Sequence, residues 1–210
     1  MTVHLGDRSY PIVVGENLLE SMADLVEEHS PAHRYAIISD STVGRLYGST
    51  VLQHLGGESR CSLFRFAAGE SQKNRDTWQQ LTDEMLAARL GRDTTVIALG
   101  GGVVGDLAGF VAATYLRGVR FVQVPTSLLA MIDSSVGGKT GVDTVLGKNL
   151  VGVFHQPTVV ITDVATLRTL PANHVSAGMA EAIKHGAISD AEYLQRVISR
   201  SGLILNLDPH

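Results

Sequence analysis

The chain has 210 residues, of which 44% are hydrophobic and 18% charged, with a formal net charge of −4. This is enough for one α/β domain with a small appendage, its composition is that of a soluble globular protein, and no basic field points to nucleic acid. One cysteine, Cys61, rules out an internal disulfide framework and a multi-cysteine metal cage, and it reads as a small buried apolar side chain. The first residues lack a signal-peptide pattern and no run of about 18 apolar residues occurs, so the expected compartment is the cytoplasm with no membrane partner.

In chain order, Val3–Leu5 and Tyr10–Val14 flank Gly6-Asp7 as a hairpin at a sheet edge. Leu18, Leu19, Met22, Leu25 and Val26 then recur at helical spacing. Residues 34–39 read as a buried strand, 43–55 as a helix and 62–66 as a strand. Asn74 to Leu90 reads as a long amphipathic helix with Trp78, Leu81, Met85 and Leu86 on its core face, ended by Gly91. Trp78 is expected in the core. Residues 94–99 are a strand, 107–116 a helix, 120–124 a strand stopped by Pro125, and 158–161 a last apolar strand. The alternation predicts an α/β fold, a Rossmann-like and mostly parallel sheet with helices on both faces, its ligands outside the carboxyl ends of the strands. Beyond it, 163–170 and 173–188 read as helices around Pro171, so the expected organisation is an α/β domain over 1–170 and the beginning of an all-α domain over 171–210. Met179, Ala180, Ile183 and Ala187 form an apolar stripe with little chain left to cover it, and the tail 203–207 is apolar too.

The most informative run is Leu99-Gly100-Gly101-Gly102-Val103-Val104-Gly105-Asp106. An apolar strand ending in clustered glycines lets a pyrophosphate approach the main chain, and the helix that follows offers unsatisfied N–H groups and a partial positive charge. It points to a nucleotide cofactor, against the bland alternative of a glycine-rich turn that binds nothing. No acidic residue lies about 20 positions downstream, as the usual dinucleotide pattern requires. The better ribose candidate is upstream, Asp40, where the strand over residues 35–39 ends.

Asp133 to Thr140 ends like a triphosphate-binding loop, but Asp133 stands where that loop requires glycine, which argues against a nucleoside triphosphatase. Lys139 follows two glycines and Lys148 follows Gly147, so both read as lysines in glycine-containing loops suited to an anionic small molecule, or else as solvated surface lysines. Glu181, Lys184 and His185 share one helix face; the spacing suits either two metal ligands or an exposed ion pair between Glu181 and Lys184.

Taken together, Ala68–Lys73, Gly100–Asp106, Thr114–Arg120, Pro125–Leu129, Asp133–Thr140, Leu146–Asn149, Thr166–Thr169 and Gly178–Lys184 resemble the 3-dehydroquinate synthase family, within the sugar phosphate cyclase group, over roughly the first 190 residues. The resemblance implies a phosphate-eliminating lyase that converts 3-deoxy-arabino-heptulosonate 7-phosphate to 3-dehydroquinate, with NAD as a catalytic cofactor and a divalent metal, zinc or cobalt, acting in a homodimer. It implies that Asp40, Glu70 and Lys73 hold the adenosine end of NAD and that Gly101, Gly102, Val103, Gly105 and Asp106 hold its pyrophosphate. Thr126, Ser127, Asp133, Lys139, Lys148, Thr166 and Thr169 would complete the cofactor's surroundings, with Ser127 in place of the family's commoner threonine. Arg117, Asp133, Lys139, Lys148, Asn149 and Lys184 are implied to serve the substrate, and Glu181 to ligate the metal.

The family's two histidine ligands lie beyond position 210, the stretch 194–210 departs from the family pattern, and His155, His174 and His185 sit at no ligand position. The expectation is therefore a truncated chain with an incomplete metal site that binds NAD weakly and does not turn over. Competing readings are another sugar phosphate cyclase, a metal-dependent polyol dehydrogenase and a non-catalytic NAD-binding module.

Overall fold

A computed structural model describes residues 1–206. Its main sheet runs β1 (Thr2–Val3), β2 (Tyr10–Gly15), β9 (Val160–Asp163), β6 (Arg120–Pro125), β5 (Thr94–Gly100), β3 (Arg34–Asp40), β4 (Cys61–Phe66) in spatial order, and every pairing except β1 with β2 is parallel. The expected edge hairpin and the mostly parallel sheet are both present. Every residue of β5 is buried, as expected for a strand covered on both faces.

The strand period of two divides the core. Ala36, Ile38, Val96 and Ala98 face one cluster with α3 (Arg75–Ala87) and α4 (Gly102–Thr114), while Tyr35, Ile37, Ile97 and Leu99 face the other with α1 (Leu18–His29) and α2 (Ser41–His54). Trp78 packs against the first cluster and its indole N–H donates to Thr114 Oγ1 at 2.9 Å. Leu86 was placed on that face by the sequence pattern, yet it is exposed. One residue past the fully buried Met85, it is turned about 100° away from the core. Cys61 is buried and desolvation pushes its thiol up to about 11, so it stays a neutral thiol, as expected of a core residue.

Three elements differ from the sequence reading. Helix α4 starts at Gly102 rather than Leu107, so the glycines form its first turn. The segment read as lysine-bearing loops is an antiparallel hairpin, β7 (Lys139–Thr144) and β8 (Gly147–Phe154), which packs across α4 away from the main sheet. It can lie that close because Gly109 has no side chain: a Cβ there would stand 2.4 Å from Thr140 Cγ2. Residues 164–169 form a 3-10 turn instead of an α-helix.

Helix α5 (Ala172–Ser189) matches its expectation and is followed by α6 (Ala191–Ser199) and α7 (Ser201–Leu205). The stripe expected to lie bare is partly covered. Met179 and Ala182 are buried against Leu128, Ile132, Tyr193, Val197 and Ile204, because α6 and α7 fold back onto α5. Ile183, a residue further round the helix, is 46% exposed. In the apolar tail, Leu203 and Leu205 are exposed, and Leu207 lies outside the described residues. Among the described residues no helix is long and apolar enough to cross a membrane.

Asp163, 3% exposed at the end of β9, joins the sheet to two elements. Its Oδ1 accepts the Asn17 and Ala165 N–H groups at 2.9 and 3.0 Å, and its Oδ2 accepts the Leu19 N–H at 3.0 Å. Asp163→Ala would strand three donors, so urea unfolding should show a loss of about 2–4 kcal/mol; a loss below about 0.5 kcal/mol would show that water replaces the carboxylate.

Candidate cofactor and metal site

The parallel strands all end at one edge of the sheet, and the residues expected to hold a cofactor sit just past those ends. Thr166 and Thr169 follow β9, Thr126 and Ser127 follow β6, Gly101 to Asp106 follow β5, Asp40 ends β3, and Glu70 and Lys73 follow β4. They form a row across five adjacent strands, where ligands of open α/β sheets bind. Asp40 caps α2 through Oδ1, which accepts the Thr42 and Val43 N–H groups at 2.7 and 2.9 Å. Tyr47 of α2 meets Thr169 Oγ1 at 2.6 Å, which ties the 164–169 turn to the same edge.

At the centre of this row, α4 opens at Gly101 with no side chain capping it, and its first internal bond runs from Gly105 N–H to Gly101 O at 3.0 Å. The N–H groups of Gly102, Val103 and Val104 are thus the free donors of a helix N-terminus, which favours an anion. A Cβ on Gly102 would lie 3.0 Å from Ser134 Oγ, a solvent-shielded hydroxyl without a hydrogen-bond partner among the described residues. Uncapped donors beside an orphaned hydroxyl fit the pyrophosphate oxygens of a dinucleotide such as NAD.

Beside this turn, Lys73 is 4% exposed. Its ammonium donates to Asp106 Oδ2 at 3.1 Å and to Asn149 Oδ1 at 2.7 Å, with Asp143 and Glu70 each 3.6 Å away. Asn149 takes a left-handed φ of 57° on β8, and its N–H donates to Asp143 Oδ1 at 2.8 Å. Glu70 also pairs with Lys148 at 3.1 Å. Burial works against the Lys73 charge, but the surrounding carboxylates outweigh it and hold its pKa above the ordinary lysine value of 10.5. Burial raises the Asp106 carboxyl pKa, Lys73 lowers it, and the nearby Glu70 and Asp143 carboxylates add to the rise, so it stays above the ordinary value. Glu70, Lys73, Lys148 and Asn149, expected at two ends of a ligand, meet in one cluster. Asp143 belongs to it and was missed; its signal was the alternation Thr140, Val142, Thr144, which puts it in a strand.

A cleft of about 480 Å³ opens between α4 and the hairpin, lined by Asp106, Asp133, Ser134, Lys139, Asn149 and Phe154 among others. On its far side Asp133 lies within a π-helical turn (Ala130–Ser134), a form common at functional sites, and faces His185 of α5. The expected ion pair between Lys184 and Glu181 is present, and it raises the Lys184 pKa. Asp133, Glu181 and His185 each offer a ligand atom, all within 4.8 Å of one another. An oxygen-and-nitrogen donor set of this kind fits a divalent ion such as zinc or cobalt. Arg117 stands apart, exposed on the 3-10 turn at the carboxyl end of α4, some 20 Å along that helix from Gly102. His155 is occupied by structure, its Nε2 2.9 Å from Val119 O and its ring stacked on Phe121, while His174 is exposed at the start of α5.

The family model described as 3-dehydroquinate synthase N-terminal matches residues 63–177, more than half of the chain. The chain belongs to the 3-dehydroquinate synthase family. It is 49% identical over 211 residues to the 3-dehydroquinate synthase of Symbiobacterium thermophilum, covering 99% of this chain and 58% of that protein. The match to that protein takes in residues beyond 194, whereas the matches to two Pseudomonas 3-dehydroquinate synthases extend over 194 residues, 92% of this chain. The chain spans little more than half the length of the curated relatives it matches. Among solved structures, 2-epi-5-epi-valiolone synthase from Streptomyces hygroscopicus, with NAD+ and Zn2+ bound, aligns over 100% of this chain and 58% of its own, at 34% identity and a TM-score of 0.86. 2-Deoxy-scyllo-inosose synthase, complexed with carbaglucose-6-phosphate, NAD+ and Co2+, aligns over 88% of this chain and 50% of its own, at 33% identity and 0.81.

Because the Lys73 pKa is raised in the fold, its stabilisation is complete below 10.5 and is lost as pH climbs past that value; for Asp106, also raised, folding grows more favourable as pH falls. Lys73→Met leaves three carboxylates facing one another. Urea unfolding should show a loss of about 3 kcal/mol at neutral pH that shrinks at about pH 4–5, where the carboxylates take up protons. An equal loss at both values would show that no uncompensated charge is left behind.

Proposed function

We propose that this chain is the cofactor-holding half of a 3-dehydroquinate synthase and contributes its cofactor and substrate contacts to the conversion of 3-deoxy-arabino-heptulosonate 7-phosphate to 3-dehydroquinate and phosphate. The observation that carries the reading is the row of Asp40, Glu70, Gly101 to Asp106, Thr126 and Thr166 along one sheet edge, with the uncapped end of α4 at its centre. The approximately 50% identity to named synthases favours this substrate over those of the other cyclases.

Bound NAD would supply a reversible oxidation of a substrate hydroxyl, and a divalent ion would polarise that hydroxyl. The chain's own residues then bind, orient and shield. The Gly102 and Val103 N–H groups take the cofactor's pyrophosphate. Asp40, with Oδ1 engaged by the cap, presents its other oxygen to a ribose hydroxyl. Lys139 at the start of β7 and Lys148 on β8 supply positive charge to phosphate or carboxylate oxygens across the cleft. Lys148 reaches them by giving up Glu70, an exposed ion pair that costs little to exchange. Asn149, held by Lys73 and Asp143, presents an oriented amide. Asp133 and Glu181 hold the metal side, with Lys184 beside them. These groups act by positioning and by stabilising charge, and none is an activated nucleophile. The exposed Val145, Leu146, Leu150 and Phe154 of the β7–β8 hairpin suit a homodimer contact, and the cytoplasm is the proposed compartment.

Gly102→Val places a branched side chain against Ser134 and the free N–H groups, so calorimetry should show NAD affinity falling at least tenfold, about 1.4 kcal/mol. Unchanged affinity would put the dinucleotide elsewhere. In a phosphate-release assay with zinc and NAD, the 210-residue chain should turn over only when the remaining segment of a full-length relative is supplied. Turnover by the chain alone would show that its own residues suffice.

A further inference from the structure

The β7–β8 ladder is interrupted where it passes Lys73. Val142 pairs with Val151 and Thr144 with Gly147, so a single residue, Asp143, stands opposite three, Lys148, Asn149 and Leu150. Such a bulge re-aims the side chains it carries. It cannot relax by a slip of register, because the strands below it meet at glycine: a Cβ on Gly152 would lie 2.1 Å from Thr140 O, and one on Gly141 2.6 Å from Val151 O. Inside the bulge Asn149 takes a φ of 57°, a left-handed conformation that asparagine tolerates better than most residues but that still has to be held. Asp143 closes a ring around it. The Asp143 main-chain N–H donates to Lys73 O at 2.7 Å, Asp143 Oδ1 accepts the Asn149 N–H at 2.8 Å, and the Lys73 ammonium donates to Asn149 Oδ1 at 2.7 Å. We propose that Asp143 is a positioning residue for the substrate: its carboxylate fixes the left-handed turn of the β8 bulge, and that turn aims the Asn149 amide into the cleft. The proposal rests on the reading of Asn149 as a substrate contact and gives Asp143 no contact of its own with the ligand.

A plain electrostatic role, as one more counter-charge for Lys73, accounts for less of the geometry. The Lys73 ammonium donates to Asp106 and Asn149, whereas Asp143 Oδ1 stands 3.6 Å from it and makes its short hydrogen bond to the Asn149 main chain. An ammonium can only donate, so Asn149 must turn its side-chain oxygen to Lys73, and its Nδ2 hydrogens are left for an acceptor. Asn149 lines the 480 Å³ cleft together with Asp106 and Lys139, so that acceptor is a hydroxyl, carboxylate or phosphate oxygen of the ligand. The two hydrogen bonds to Asn149 divide the work. Lys73 sets which way the amide faces, and Asp143 sets the backbone from which it projects. Without the carboxylate the Asn149 N–H loses its partner, the backbone is free to leave the left-handed region, and the amide moves off Lys73 and away from the ligand.

The test is calorimetric titration of the 210-residue chain, loaded with NAD and Zn2+, with 3-deoxy-arabino-heptulosonate 7-phosphate. Asp143→Ala should lower the affinity for this substrate at least about tenfold while NAD affinity stays within about threefold, and Asp143→Asn, which keeps an oxygen acceptor without the charge, should return to within about threefold of the unaltered chain. Asn149→Gly suits the left-handed turn but lacks the amide, so it should weaken substrate binding too. Adding Asp143→Ala to it should weaken binding no further, because Asp143 acts only through that amide. Circular dichroism checks each fold, and Asp143→Val, a better strand former that also lacks an acceptor, replaces the alanine variant if that one does not fold. Normal substrate binding by Asp143→Ala beside weak binding by Asn149→Gly would overturn the proposal and leave the reading of Asn149 standing. So would an Asp143→Asn variant as weak as Asp143→Ala, which makes the role one of charge, or losses that multiply in the double variant. If Asn149→Gly binds normally, or the unaltered chain does not bind the substrate, the reading of Asn149 falls and the proposal with it.

Discussion

Helix α4 must touch the sheet on one side and the β7–β8 hairpin on the other, and the rest of the molecule is arranged around that squeeze. Gly109 lets Thr140 of the hairpin close onto the helix, and Gly102 lets Ser134 close onto its first turn. With side chains at these positions the hairpin and the π-helical turn would stand off, and the cleft would lose its walls. Because the same helix begins at the carboxyl end of β5, its positive end points into the space those walls enclose.

The charges around that space follow a common plan. Lys148 is held by Glu70, Lys184 by Glu181, and Lys73 by Asp106. The first pair is exposed and therefore weak, so an incoming anion can take Lys148 at small cost, while in the second only the lysine is exposed and the Glu181 oxygen is shielded from solvent. The third is buried, with an excess of acid around it, and it fixes Asn149 and the hairpin to the first turns of α4. A loosely held cation at the rim and a locked one beneath would suit the anionic ligand proposed for this site.

Much of this was legible along the chain. The two-residue period of 34–39 and 94–99, the helical spacing of 74–90 and the glycine run at 100–105 each express an interaction between near neighbours, and each element appeared within a few residues of its expected bounds. The misreadings have one origin. Lys139 and Lys148 read as loop lysines because the hairpin that carries them turns through Val145-Leu146, neither of which is a usual turn residue. The stripe on α5 reads as bare although α6 carries a marked helical pattern of its own, because nothing along the chain says that α6 and α7 fold back onto Met179 and Ala182.

Sequence by itself determined the parallel sheet, the place of the glycine turn and the family, since these depend on periodicity, on backbone freedom at glycine and on motifs read in order. Only the tertiary structure decided that Lys73 is buried among Glu70, Asp106 and Asp143, and that Asp133 meets Glu181 and His185. Those groups lie up to 73 residues apart in the chain. Their separations follow from how α4 and α5 pack, and a charge's behaviour depends on the neighbours it acquires there and on how far water is excluded from them.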